Sequence, residues 1–254
     1  MRLLDAYCGA GGAGMGYHRA GFDVVGVDLA AQPRYPFEFH QCDAVEFIRA
    51  HGHEFDAIHA SPPCQMFTPY RRKGHGVGDG SPNLIPPTRA ALVAAQRPYV
   101  IENVEQAAGE LVSPVKLCGS MFGLDVQRHR LFETNVPVMS SPCNHTCWSP
   151  RFPPATNRAN LRRTVEIGVW RIPLSVQRTA MGIDWMTLPE LSQAIPPAYT
   201  ELVGGFLREH LIHTASVMGR HHGHGIDMAT RSGCHNGAAD TSSFTHDPDW
   251  SLTK

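Results

Sequence analysis

Through the first half of this chain, short apolar runs alternate with helix-compatible stretches, and that rhythm limits the fold more than any other property. Leu3-Leu4 precede a glycine cluster; Val24-Val25-Gly26-Val27-Asp28, Phe55-Asp56-Ala57-Ile58 and Tyr99-Val100-Ile101-Glu102 follow at helix-spaced intervals. Such alternation predicts a mostly parallel sheet covered by helices, an α/β fold. Ligands of such sheets bind outside the carboxyl ends of the strands, where Asp28, Ser61 and Glu102 all fall.

The 254 residues suffice for one α/β domain with an insertion or for two small ones. A balance of 22 basic against 23 acidic residues argues against a histone-like binder, so any nucleic-acid contact must come from local patches. Seven cysteines without regular spacing, behind an N-terminus with no long apolar run, predict a reducing cytoplasm rather than a disulfide framework. No stretch approaches the roughly twenty apolar residues that span a bilayer, so a soluble protein without membrane contact is expected.

Local composition divides the chain. Residues 68–87 are rich in Gly and Pro and carry Arg71, Arg72 and Lys73, too long and irregular for a simple connection, which suggests a functional loop. Residues 135–177 read as a small lobe. Between Thr134 and Ile183 the only acid is Glu166, against Arg151, Arg158, Arg162, Arg163, Arg171 and Arg178, with Trp148, Phe152 and Trp170 interleaved. Arginines neutralise phosphates and reach guanine edges while aromatics stack, so this pattern suits a polyanion better than a solvated face does. Helical patterns follow from Pro173 to Thr187 and from Tyr199 to Ile212, the second expected to close the core. The predicted units are thus 1–134, 135–177, 178–213 and a His/Gly-rich tail at 214–254, read as flexible although it holds His221, His222, His224, His235 and His246. Cys143, His145 and Cys147 depart from the Cys-x2-Cys spacing of zinc knuckles and show no evident fourth ligand, so no metal site is predicted.

Gly9-Ala10-Gly11-Gly12-Ala13-Gly14 satisfies the GxGxxG pattern, and Asp28 ends the next strand, where a ribose-binding carboxylate belongs. Nicotinamide cofactors and S-adenosyl-L-methionine share those requirements. Three residues favour the methyl donor: Asp5, placed to hold a cationic amino-acid group; Tyr7, an aromatic surface for adenine; and Asp43, an acceptor for the adenine amino group. A carboxylate as close as Asp5 would repel a pyrophosphate. Downstream, Ser61-Pro62-Pro63-Cys64-Gln65 presents a cysteine after two prolines that fix the backbone, a thiol aimed rather than merely buried, and Glu102-Asn103-Val104 follows.

Taken in order, Asp5-Ala6-Tyr7-Cys8-Gly9-Ala10-Gly11-Gly12, Asp28, Asp43, Pro62-Pro63-Cys64-Gln65, Glu102-Asn103-Val104 and Arg128-His129-Arg130 resemble the cytosine-C5 DNA methyltransferase family over about residues 2–213. The resemblance implies a Rossmann-like S-adenosylmethionine-dependent methyltransferase fold with a small, mostly irregular target-recognition lobe, acting on double-stranded DNA as a monomer. It implies that Cys64 adds to cytosine carbon 6, that protonated Glu102 donates to ring nitrogen 3, and that Asn103 orients the loop. Arg130 is then expected near the base's carbonyl oxygen and Arg128 nearer the phosphate. A flipped-out base requires a lid, for which Gln65, Arg71, Arg72 and Lys73 are placed, with Arg162 and Arg163 as further DNA contacts. Two departures stand out: Val126 occupies the position of the family's glutamine, with Gln127 after it, and Ser192-Gln193 replace the Gly-Asn before Ala194-Ile195-Pro196-Pro197. The short lobe suggests a target of only a few base pairs. A transfer-RNA cytosine-C5 methyltransferase would carry similar catalytic blocks; a catalytically silent nucleic-acid-binding module would have no need of intact Cys64 and Glu102.

Overall fold

A computed structural model describes residues 1–67, 82–145 and 164–221. Its sheet has seven strands: β1 (Arg2–Ala6), β2 (Asp23–Asp28), β3 (Glu38–Gln41), β4 (Ala57–Ala60), β5 (Tyr99–Asn103), β6 (Val115–Leu117) and β7 (Arg130–Thr134). They lie in the order β3-β2-β1-β4-β5-β7-β6. The first five are parallel; β7 runs antiparallel to β5, and β6 antiparallel to β7. The expected α/β Rossmann-like architecture is therefore the one adopted.

Strand alternation sends neighbouring residues to opposite faces, and the two cores follow that period. Leu4, Val25, Ile58 and Ile101 pack on one face with α2 (Ala44–His51) and α3 (Ile85–Ala95). Leu3, Val24, Ala57 and Val100 pack on the other with α1 (Gly12–Arg19) and α6 (Pro197–His221), the latter contributing Tyr199, Val203 and Leu207. Close approach of α1 to α6 depends on Gly16, where a Cβ would overlap the Thr200 hydroxyl and the Pro197 carbonyl. The last helix closes this core as its apolar spacing predicts.

Helix starts follow local chemistry. Asp43 caps α2 by accepting from Glu46 N at 2.9 Å, and prolines open α3, where a missing N–H costs nothing. The single helix expected from Pro173 to Thr187 is instead α4 (Leu174–Met181), halted by Gly182 at φ 67°, followed by α5 (Leu188–Gln193) with a Thr187–Glu190 capping box. Met181, Ile183, Met186 and Leu191 form a third cluster around Ala10 and Val126. Val126, where the resembled family has glutamine, is buried in this apolar cluster.

Candidate active site

β1 and β2 end side by side at one edge of the sheet, and the glycine turn leaves from β1 next to Asp28. Gly9 and Gly11 have φ of 49° and 84°, a region open to glycine at little cost. Asp28 anchors the turn: its carboxylate accepts from Gly9 N and from Ala30 N, each at 3.0 Å. A Cβ on Gly9 would meet nothing within 4 Å among the described residues, whereas one on Gly11 would strike Pro36 Cδ at 2.7 Å. Gly9 thus borders open space and Gly11 borders packing. Leu29, directly after Asp28, is 72% exposed and offers an apolar surface beside that carboxylate; it was not singled out in the sequence. Trp185 clasps the turn from the C-terminal segment, its indole N–H donating to Ala10 O at 2.8 Å. Tyr7 is half-buried against the first core, its hydroxyl 2.8 Å from Thr88 Oγ1.

Asp5 lies at the end of β1, next to the turn it was expected to serve. Its side chain is fully buried beneath the turn, bonded to Gly14 N and, at 3.2 Å, to the Tyr35 hydroxyl. Desolvation raises its pKa to about 8, so at neutral pH it is largely protonated. The carboxyl supports the turn from below, and its Oδ1 has no hydrogen-bond partner among the described residues.

The second half of the site leaves β4 and β5. Asn103, buried at the end of β5, donates from Nδ2 to Pro62 O and accepts from Val104 N, both at 2.9 Å, so it holds the Pro-Pro-Cys loop to the strand. A turn closed by Phe67 N donating to Cys64 O follows. Burial raises the Cys64 thiol pKa, as does the Glu102 charge, while Arg130 and Arg128 oppose them. Glu102 is 5% exposed, and burial raises its pKa against the pull of Arg130, a Ser61 hydrogen bond and Arg128. Arg130 Nε lies 3.0 Å from Glu102 Oε1, yet the two are not aligned as a hydrogen bond and Oε1 has no donor among the described residues. Buried polar atoms left in this way are rare, and a bound partner can complete them. Arg128, lowered to about 9 by burial and then by Arg130, donates to the backbone carbonyl of Ser192, and its own carbonyl accepts from the Tyr199 hydroxyl at 2.6 Å. The closing segment therefore holds Arg128 through the Ser192 backbone. Gln65 is exposed. Arg71, Arg72, Lys73, Arg162 and Arg163 lie outside the described residues.

Behind Glu102 runs a chain of buried polar groups that sequence reasoning missed. The Tyr17 hydroxyl lies 2.9 Å from His59 Nδ1, His59 Nε2 lies 2.8 Å from Ser61 Oγ, and Ser61 reaches Glu102. Burial lowers His59 to about 3, so the ring is neutral. With the Ser61 proton directed at Glu102, Nε2 carries the imidazole proton and Nδ1 accepts from Tyr17. The available signal was a lone polar residue inside the apolar run Ala57-Ile58-His59-Ala60.

Chemically, the arrangement combines a thiol, a buried carboxyl able to donate when protonated, and two guanidiniums, next to an open glycine turn. No family model matches the chain. Over 121 residues it is 32% identical to Type II methyltransferase M.HgiDI of Herpetosiphon aurantiacus, a match covering 42% of this chain and 38% of that protein. It is 31% identical over 121 residues to Type II methyltransferase M.HgiGI of the same organism, covering 42% of this chain and 93% of that one. Among solved structures, the S. pombe Dnmt2 methyltransferase superposes with a TM-score of 0.50 at 12% identity, over 83% of this chain and 99% of its own, a likeness of fold alone.

Proposed function

The chain belongs to the Type II methyltransferase family, and from that premise we propose that it is a DNA cytosine-C5 methyltransferase using S-adenosyl-L-methionine. The observation that carries this reading is the convergence of Cys64, Glu102, Arg128 and Arg130 into one electrostatically coupled cluster at the sheet edge where the glycine turn opens.

The cofactor end fits an adenosyl ligand: Gly9 leaves room for close backbone approach, Asp28 stands at the end of β2, and Leu29 and Asp43 flank it. When bound, the cofactor supplies an electrophilic methyl group. Asp28 serves the ribose hydroxyls while keeping its hold on Gly9 N, and Asp43 keeps one oxygen on the helix cap and offers the other to adenine.

Cytosine carbon 5 is a weak nucleophile. Cys64, as thiolate, forms a bond from sulfur to carbon 6 and pushes electron density onto the ring; Glu102, whose pKa burial raises, hydrogen-bonds ring nitrogen 3 in its protonated form and neutralises that charge. Arg130 and Arg128 favour the thiolate against the burial that opposes it. Carbon 5 would accept the methyl that the cofactor supplies, with S-adenosylhomocysteine as the leaving group, and as water takes the carbon 5 proton the bond from sulfur to carbon 6 breaks and returns Cys64 as thiolate. These atoms are inaccessible in a duplex, so the target base leaves the stack at a cost of a few kcal/mol. Gln65, exposed beside Cys64, and Arg71, Arg72 and Lys73 further along the chain fill the stack vacated by the flipped base or clamp phosphate.

The test is tritiated methyl transfer from S-adenosylmethionine to duplex DNA and, in parallel, to transfer RNA, with covalent trapping on duplexes containing 5-fluorocytosine. Transfer to DNA and an adduct lost in Cys64→Ser are expected. Transfer only to RNA, or methylation with no adduct, overturns the assignment.

A further inference from the structure

Far from the glycine turn, the antiparallel pairing of β6 with β7 brings together residues that the sequence separates. Leu117 pairs with Arg130, so Cys118, just after β6, and His129, just before β7, leave the ladder side by side. The chain beyond β7 returns over the same end with Cys143 and His145. The donor atoms of these four side chains all lie within 4.8 Å of one another. The sequence showed no fourth ligand because two of the four come from this strand register. Cys147 lies outside the described residues.

We propose that Cys118, His129, Cys143 and His145 form a structural zinc site. Zinc bonds of about 2.3 Å to sulfur and 2.05 Å to nitrogen, arranged tetrahedrally, set ligand separations of about 3.6 Å for S···N and 3.3 Å for N···N. Cys118 Sγ stands 3.5 Å from His145 Nε2, Cys143 Sγ 3.6 Å from His129 Nε2, and the two Nε2 atoms 3.1 Å apart. The surroundings orient the ligands in the same sense. Glu105 Oε2, 2.9 Å from His129 Nδ1, can only accept when ionised, so Nδ1 carries the proton of the neutral ring and the Nε2 lone pair faces the cluster. The Ser120 hydroxyl donates to Cys118 Sγ at 3.2 Å and is held by Asn144 N at 3.1 Å.

Two thiols lose their protons to solvent on binding, leaving a neutral Cys2His2 complex with no open position, a structural rather than a catalytic site. Its leverage is positional. His129 sits between Arg128 and Arg130, so the metal pins the start of the strand from which Arg130 reaches Glu102, and it fixes the chain at His145 before residues 146–163.

The full chain, purified without chelator, is assayed for metal by mass spectrometry and then exchanged with cobalt. The expected result is about one zinc per chain, with tetrahedral d–d bands and a thiolate-to-cobalt charge-transfer band. The charge-transfer band separates this site from metal held by the tail histidines. Cys118→Ser with Cys143→Ser abolishes the band, Glu105→Gln weakens metal affinity about 10- to 100-fold, and Cys42→Ser, altering a cysteine outside the cluster, changes nothing. A chain that takes up neither metal, a band that survives the double substitution, or a Cys118–Cys143 disulfide in its place overturns the proposal. None of these readouts needs methyl transfer, so failure here is distinct from failure of the proposed activity.

Discussion

Ser61→Ala removes the link through which the buried polar chain reaches Glu102. A hydrogen bond to a charged group contributes about 1.5–3 kcal/mol, and losing this one raises the Glu102 pKa further. The sign follows from the site: burial raises this carboxyl and Ser61 opposes burial, so without Ser61 the protonated form persists to higher pH. If protonated Glu102 assists addition, the alkaline limb of kcat/KM moves upward. The same substitution strands the His59 Nε2–H and lowers folding stability by about 1–3 kcal/mol. Tyr17→Phe separates the two effects, because it cuts the far end of the chain and leaves Ser61 on Glu102, so stability falls while the limb stays. Methyl-transfer rates across pH, paired with urea unfolding, measure both. A folded Ser61→Ala enzyme whose alkaline limb is unmoved or shifted downward would falsify the role given to Glu102.

Asn103→Ala loses the hydrogen bond to Pro62 and strands Val104 N; we expect a stability loss of about 1–3 kcal/mol and a reduced kcat, with cofactor affinity by calorimetry unchanged because the Gly9–Asp28 hydrogen bond is untouched. Replacing Arg71, Arg72 and Lys73 by Ala weakens DNA binding and flattens its salt dependence by about 0.9 in log–log slope for each phosphate no longer neutralised; an unaltered slope removes them from the interface. Asp5 is protonated in the folded chain up to about pH 8 but ionises above its ordinary 3.8 when unfolded, so the stability it contributes is full below about pH 4 and lost as pH rises toward 8. His59, pushed down to about 3, acts oppositely, its contribution present above 6.5 and lost as pH falls, so the two slopes offset in mild acid and Asp5→Asn flattens the decline from about pH 6.5 to 8 in unfolding titrations.

What could be read from the sequence was whatever is encoded over short spans. The strand rhythm, the GxGxxG turn with Asp28 at the next strand end, and the Cys64 and Glu102 blocks each occupy a few consecutive residues whose types alone carry the meaning. The depth of Asp5 was not legible, because residue type announces a charge, while burial under Gly14 and Tyr35 determines whether that charge exists. His59 and Tyr17 were hidden for the converse reason: each sits among apolar neighbours, and only packing shows that they address Ser61. Gly182 ended a helix whose apolar pattern continued past it, since a positive φ overrides periodicity.

One reversed strand explains why so much chemistry meets at a single edge. In a sheet of parallel strands every carboxyl end points one way, and β1, β2, β4 and β5 deliver the glycine turn, Asp28, the Cys64 loop and Asn103 to that edge. A parallel strand beside β5 would present its amino-terminal residues at the opposite edge, a strand's length away. Because β7 is antiparallel, pairing Asn103 with Leu131 and Glu102 with Phe132, its first residue Arg130 emerges beside Glu102, with Arg128 and His129 just beyond. β6, antiparallel again, returns its carboxyl end to the same edge and brings Cys118 to His129. A one-residue slip of β7 would turn Arg130 and His129 to each other's faces, separating Glu102 from its cation and the four metal donors from one another in a single step. The two sites thus depend on one register, and a metal held at the second would resist the slip that disables the first.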